Sequence, residues 1–314
     1  MNRFLRHKKW LALFTFILLL SSVITACSAL PDSKTPKKPN SIKYPIHLTD
    51  QVGNKVSVVK EPERIVSLIP STTEIAFALG LKEQIVGVTE NDDYPAEAKN
   101  LPKVGDYKID VEKVVALKPD LVLAQKANEP ETIKKLQQLG IPVLVTDANE
   151  VKDVFASIDL IAQATDRTYE GDTLVGEMSK HRLQIFHQVA KIPEDKRVKV
   201  WIEIDPTLFT AGGDTFLNEL VTLAGGKNVA IQLQGWPQVS SEQVVKWNPD
   251  VILTTYGGEQ EILKRQGWDA VNAIKNNRVV SVDPNLVNRP GPRIIDGVEQ
   301  MAKGFYPDVI GVKK

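Results

Sequence analysis

Apolar residues fall along this chain in short, continuous runs set between amphipathic stretches. Arg64-Ile65-Val66-Ser67-Leu68, Leu121-Val122-Leu123-Ala124 and Val143-Leu144-Val145-Thr146 are β-rich runs bounded by polar turns. Such runs read as strands buried on both faces. The segments between them carry helical periodicity and stop near glycine or proline, as at Ala78-Leu79-Gly80 and Lys118-Pro119-Asp120. Strand alternating with helix predicts a parallel α/β sheet.

The pattern then repeats. Glu112-Lys113-Val114-Val115-Ala116-Leu117-Lys118-Pro119-Asp120-Leu121-Val122-Leu123 is echoed by Glu242-Gln243-Val244-Val245-Lys246-Trp247-Asn248-Pro249-Asp250-Val251-Ile252-Leu253. Each is a short helix ended by X-Pro-Asp, because proline cannot continue the helix, and then a strand. Lys199-Val200-Trp201-Ile202-Glu203 answers to the strand at Arg64, Ala224-Gly225-Gly226 to the helix end at Gly80, and Val279-Val280-Ser281-Val282 to the strand at Val143. The chain is built twice.

Between the halves, 166–190 contains no proline, and its two glycines, Gly171 and Gly176, lie in its first half. Leu174, Met178 and Ile185 form a single modest apolar stripe, which predicts one long helix. The expected fold is therefore α/β: two similar α/β lobes with mainly parallel central sheets. One long rigid spine helix joins them, with the ligand cleft between the lobes. The lobes are placed at 45–165 and 191–314. Ligands of such lobes bind beyond the carboxyl ends of the strands.

The first residues have a different pattern. Arg3, Arg6, Lys8 and Lys9 precede an apolar run from Trp10 to Leu20, then Ile24-Thr25-Ala26. A basic start, a short apolar core and small residues make 1–26 a secretory signal. Cys27, the only cysteine, stands at the expected cut and resembles the lipobox of bacterial lipoproteins. That resemblance implies acylation of the Cys27 thiol and a protein held on the extracytoplasmic face of the cell membrane. The stretch 27–44, rich in Lys, Pro and Ser, reads as a flexible tether.

Composition narrows the chemistry. Thirty-nine basic and 39 acidic residues cancel, which removes the electrostatic case for nucleic acid. The four histidines are His7, His47, His181 and His187; they form no cluster suited to a metal, and no nucleophile has an evident base. No catalytic residue, metal or cofactor is expected. Ser71-Thr72-Thr73-Glu74 and Ser240-Ser241-Glu242-Gln243 have the form of helix caps, Ser71 with Glu74 and Ser240 with Gln243. Glu74 and Glu242 also suit a second role, as carboxylates projecting beside the cleft toward a cationic partner. Trp236, held in Gly235-Trp236-Pro237-Gln238, offers a flat platform. Phe209, Tyr94 and Tyr107 are further loop aromatics, each on its own reading as packing and together able to line one apolar cleft. Arg289, in a proline-stiffened loop, is the better of two arginines for an anionic or amide group, since Arg293 opens a helix.

Taken together, Pro70-Ser71-Thr72-Thr73-Glu74-Ile75, Asp93-Tyr94-Pro95, Leu117-Lys118-Pro119-Asp120-Leu121-Val122 and Trp236-Pro237-Gln238-Val239-Ser240-Ser241-Glu242 resemble the helical-spine (class III) binding proteins of ABC importers. The likeness runs from about Glu61 to Val309 and leans toward the members that carry vitamin B12 (cobalamin). It implies a monomeric, non-enzymatic protein that captures a cobalamin or a ferric siderophore and delivers it to a membrane permease driven by an ATPase. Haem carriers belong to the same class. On this resemblance Glu74 and Glu242 fall on the permease-docking glutamates, and Tyr94, Phe209, Trp236 and Arg289 on cleft positions, with Tyr107 beside them. Two positions depart from the pattern: Asp106 stands where an aromatic is expected, and Asn285 where an acidic residue is expected. An extracellular glycoside-cleaving enzyme using the paired glutamates is the reading from another class.

Overall fold

A computed structural model describes residues Ser41–Ile310 of the protein. The expected signal, Cys27 and nearly all of the tether lie outside the described residues. The first elements are an antiparallel hairpin, β1 (Ile46–Thr49) and β2 (Lys55–Val58). Asp50 fastens it to the lobe. Its carboxylate accepts from the backbone N–H of Val52 and Asn54, and from that of Val145 on a distant strand. The apolar pattern does not flag this hairpin, because only Val56 and Val58 in it are buried.

The N-terminal lobe continues with β3 (Ile65–Ser67), α1 (Pro70–Ala78), β4 (Ile85–Gly87) and α2 (Val111–Ala116). Then come β5 (Leu121–Gln125), α3 (Pro130–Gln138), β6 (Val143–Thr146) and α4 (Val151–Ala164). A 22-residue helix, α5 (Thr168–Val189), follows; at 1.5 Å per residue it is about 33 Å long. The second half comprises β7 (Lys199–Glu203), α6 (Phe216–Leu223), β8 (Lys227–Asn228), α7 (Ser241–Trp247), β9 (Val251–Thr254), α8 (Glu259–Leu263), α9 (Asn272–Lys275), β10 (Val279–Ser281), α10 (Pro284–Val287) and α11 (Ile294–Phe305). The two four-stranded sheets are wholly parallel, ordered β4-β3-β5-β6 and β8-β7-β9-β10. The internal echo is thus a true repeat of topology.

The X-Pro-Asp motif has a physical purpose in both lobes. Lys118 and Asn248, the residues before proline, sit at φ 48°, in the left-handed region. Such a residue ends a helix, whereas the extended conformation is the usual one before proline. The following aspartates then tie down the start of each central strand. Asp120 accepts from the N–H groups of Glu63 and Arg64 at 3.1 and 2.9 Å, and Asp250 accepts from that of Lys199 at 2.9 Å.

Strand side chains divide by period two. Ile65, Leu121 and Leu123 of the first sheet and Val200, Ile202, Val251 and Leu253 of the second belong to one hydrophobic cluster. It runs through Met178, Ile185 and Val189 of α5. Val66, Val122 and Ala124 face the outer helices of the first lobe. Trp201 and Ile252 do the same in the second, where Trp201 meets Trp268 edge-on at 5.3 Å. The spine therefore shares its apolar stripe with both lobes.

Gly80 and Gly225 occupy equivalent turns after α1 and α6, at φ +76° and +87°. A Cβ on Gly80 meets nothing within 4 Å, whereas one on Gly225 would lie 2.8 Å from Val189 of the spine and 3.1 Å from Tyr306. Gly80→Ala is expected to cost about 1 kcal/mol, the strain of a left-handed alanine. Gly225→Ala should cost about 3 kcal/mol, since overpacking adds to it. Urea denaturation compares the two, and equal costs would show that the spine yields freely at Val189.

Candidate ligand cleft

The carboxyl ends of the first lobe's strands open onto a cavity of 340 Å³ that the loop after α10 closes from the second lobe. Leu68 to Ser71 follow β3, Asn91 follows β4, and Gln125 ends β5, with Ala127 and Asn128 just after it. Asp106 and Tyr107 complete that side, and Asn285, Asn288 and Arg289 face them. Asn128 locks the floor: its carbonyl oxygen accepts from the Gln125 N–H at 2.8 Å, and its amide donates to the Leu68 carbonyl at 2.9 Å. Charged side chains on the lining are two, Asp106 and Arg289; five others are carboxamides.

Beside this cavity lies an ion cluster that joins the lobes. Glu74 on α1 is 3 % exposed. Arg293 grips its carboxylate with two hydrogen bonds of 2.8 and 2.6 Å, and Arg289 adds a third at 3.2 Å. Arg289 also donates to Asp93 at 2.6 Å and to the Asn91 carbonyl at 3.2 Å. The Arg293 guanidinium stands 3.8 Å over the Tyr94 ring, a cation–π contact. Hydrogen bonding to Glu74 raises the Arg293 pKa further, against the opposing effect of burial. Burial pushes the Asp93 carboxyl upward, but the hydrogen bond and charge of Arg289 prevail and hold it below its ordinary value.

This geometry corrects two expectations. The helix begins at Pro70 with Ile69 in the capping position, so Ser71 does not cap it, and Glu74 does not reach back to complete a box. Nor does Glu74 project from the surface; it is buried and already paired, and so cannot meet a partner from this conformation. Glu242 has a different setting. It is exposed in the first turn of α7, where Ser240 caps by accepting from the Gln243 N–H at 3.2 Å. Its own backbone N–H and Ser240 lower its pKa. The residue in the matching place of the first lobe is Glu112. It is exposed, two positions after the cap Asp110, which accepts from the N–H groups of Glu112 and Lys113. The internal repeat already aligned Glu112 with Glu242, and that was the signal available in the sequence.

Of the aromatic candidates, Tyr107 lines the cavity and is 86 % exposed. Tyr94 lies next to it, in a second pocket with Glu74 and Arg293. Phe209 and Trp236 stand apart from the cavity on loops of the second lobe. Phe209 forms an isolated bridge to Gln238, and the Thr210 N–H donates to the Pro237 carbonyl. Trp236 is half-exposed. Sequence reasoning missed Glu203, the fully buried last residue of β7. Arg265 binds it with two hydrogen bonds of 2.8 and 2.6 Å, and the Tyr256 hydroxyl donates to it as well. Arg265 also lies 4.3 Å over Trp268. A carboxylate closing the apolar run Val200-Trp201-Ile202 was its signal. Among the described residues, no group of three or more His, Cys, Asp or Glu could hold a metal ion.

Comparison with known proteins gives a consistent result. Residues 65–286 match a family described as periplasmic binding protein. The chain is 42% identical over 309 residues to an uncharacterized ABC transporter substrate-binding lipoprotein, YvrC, of Bacillus subtilis, covering 96% of this chain and 98% of that protein. It is 31% identical to the vitamin B12-binding protein of Vibrio parahaemolyticus, covering 80% and 93%. Among solved structures, a possible iron-binding (periplasmic solute-binding) protein from Staphylococcus epidermidis is 35% identical. It superposes with a TM-score of 0.70, covering 79% of this chain and all of that one.

Replacing Glu74 with alanine leaves Arg289 and Arg293 without their shared counter-ion. The expected loss of stability is about 3–5 kcal/mol, the range for breaking a buried pair. The Asp93–Arg289 pair adds an acid dependence of known sign. A carboxyl with a depressed folded-state pKa stabilises fully above its unfolded value, and that contribution is lost as pH falls through the folded value. The stability gap between the unmodified protein and Asp93→Asn should stay constant from about pH 8 to 5 and close only below about pH 4. Urea denaturation across that range checks it; a gap closing near neutrality would contradict the pairing.

Proposed function

The chain belongs to the periplasmic binding protein family, and on that premise we propose that it is the lipid-anchored solute-binding component of an ABC importer, with a corrinoid as its ligand. It is a binding protein and not an enzyme. The observation that carries the ligand is the likeness to vitamin B12-binding proteins over most of the mature chain. A cleft lined with carboxamides supports it, since amides both donate and accept and so suit a ligand that carries amide groups. The lobes share the spine's apolar stripe, so closure is small and affinity comes from a largely preformed site. Tyr107 and Arg289 wall the cavity, while Tyr94, Phe209 and Trp236 meet the parts of a bulky ligand that extend beyond it. The iron-binding title of the Staphylococcus epidermidis structure favours one second reading, a ferric siderophore in the same cleft.

Docking to the permease falls to Glu112 and Glu242. Both are exposed first-turn carboxylates, at equivalent places in the two lobes. Glu74 is occupied within the protein. Cys27 carries the acyl anchor that holds the protein on the extracytoplasmic face of the membrane.

Charge reversal at both positions, Glu112→Lys with Glu242→Lys, should abolish cobalamin uptake by cells and leave the affinity of the purified protein unchanged. Uptake that survives would remove the docking role, and a large affinity loss would place these residues in the cleft. Trp236→Ala should weaken cobalamin binding by about 1–3 kcal/mol, as expected for a lost aromatic anchor. Unchanged affinity would take Trp236 out of the site.

A further inference from the structure

We propose that Asp93 determines ligand specificity: it neutralises Arg289 at the wall of the cleft and thereby turns away anionic ligands in favour of neutral, hydrogen-bonding ones. The inference rests on the solute-binding reading above and deepens it to a ligand class.

Arg289 is the one cationic side chain lining the cavity. Left free, it would anchor a carboxylate, a phosphate or an anionic iron chelate. Three of its five N–H donors are instead taken by the protein. One nitrogen donates to Asp93 at 2.6 Å and to Glu74 at 3.2 Å, and another to the Asn91 carbonyl at 3.2 Å. The Arg289 side chain retains 14% exposure, enough to touch a ligand through its remaining donors.

The local charge has a definite sign. Glu74, Asp93 and Asp106 set three carboxylates against the two guanidiniums of Arg289 and Arg293. Asp106 is held at the lining by the Asn91 side-chain amide. This cluster of five groups is therefore net negative beside the cavity, and an incoming anion meets like charge there. The other polar lining groups are mainly carboxamides, which accept neutral donors and acceptors without preference for charge.

Among the three carboxylates, Asp93 is the one whose removal changes specificity without breaking the joint between the lobes. Glu74 is nearly inaccessible and is gripped by both arginines. Asp93 is 47% exposed and pairs with Arg289 alone among the arginines, with Lys99 acting on it more weakly. Deleting its charge would free a donor of Arg289 beside the cavity and bring the cluster to neutrality, while Glu74 continues to hold both arginines in place.

The test uses the purified full chain in detergent and follows quenching of tryptophan fluorescence. The probes are cyanocobalamin, a neutral ferric trihydroxamate and a trianionic ferric tris-catecholate. Asp93→Asn should tighten binding of the tris-catecholate by at least about tenfold and leave the affinities for the two neutral probes within about threefold of their starting values. The double variant Asp93→Asn with Arg289→Gln should lose that gain. The proposal is overturned if Asp93→Asn gains nothing for the anionic probe, or if the gain persists without Arg289. It is equally overturned if the unmodified protein binds the tris-catecholate as tightly as either neutral probe. Failure of the unmodified protein to bind cyanocobalamin would instead strike the corrinoid reading, and the ratio of anionic-probe affinities between variant and parent would still decide the role of Asp93.

Discussion

Glu74 is a carboxylate taken almost wholly out of water, and removing a charge from water costs several kcal/mol unless partners repay it. Its partners are Arg289 and Arg293, 215 and 219 residues further along the chain. Satisfying this one group therefore fixes where the loop after α10 must lie against α1. It brings Arg289 to the cavity wall, sets Arg293 over Tyr94, and places Asp93 where it completes the network. The cleft owes its second wall to this pairing. Pairs of this kind are weak contributors to net stability but exacting about geometry, which is what a preformed binding site requires.

The spine supplies the other constraint. Its stripe of Met178, Ile185 and Val189 belongs to the same apolar cluster as the inner faces of both sheets. A helix whose one stripe packs against both lobes couples them and opposes wide relative motion. The tight approach of Gly225 to Val189 is a local expression of the same packing. Delivery of a ligand would then require force from outside the protein, which is consistent with a partner that grips both lobes at once. Glu112 and Glu242, exposed on short capped helices that the repeat has duplicated, are the carboxylates proposed for such a grip.

Much of this was legible in the sequence, because it was written in periodicity. The eight strands of the two parallel sheets include six that are apolar runs bounded by turns, and the proline-ended helices repeat nearly residue for residue. The long helix was visible from the absence of proline and the single stripe. The hairpin β1–β2 was not, since half of its residues face solvent and its anchor, Asp50, acts through backbone groups 95 residues away. The site was harder to read for the same reason. Ser71 and Glu74 have the spacing of a capping box, and a local rule cannot foresee that two distant arginines will claim the glutamate. Glu203 was hidden likewise, because its partners Tyr256 and Arg265 lie on either side of the short helix α8, more than fifty residues away. Phe209 and Trp236 were identified as aromatics in loops, yet their distance from the enclosed cavity depends on backbone bridges that composition does not encode. Glu112, by contrast, was recoverable from the repeat.

The central claim is that a neutral, amide-bearing macrocycle is the ligand of the cleft between the lobes. Isothermal titration of the purified full chain in detergent with cyanocobalamin addresses it most directly. The account predicts one-to-one binding with a Kd below about 1 μM. No heat of binding at any attainable concentration, with a ferric siderophore bound tightly in its place, would contradict it.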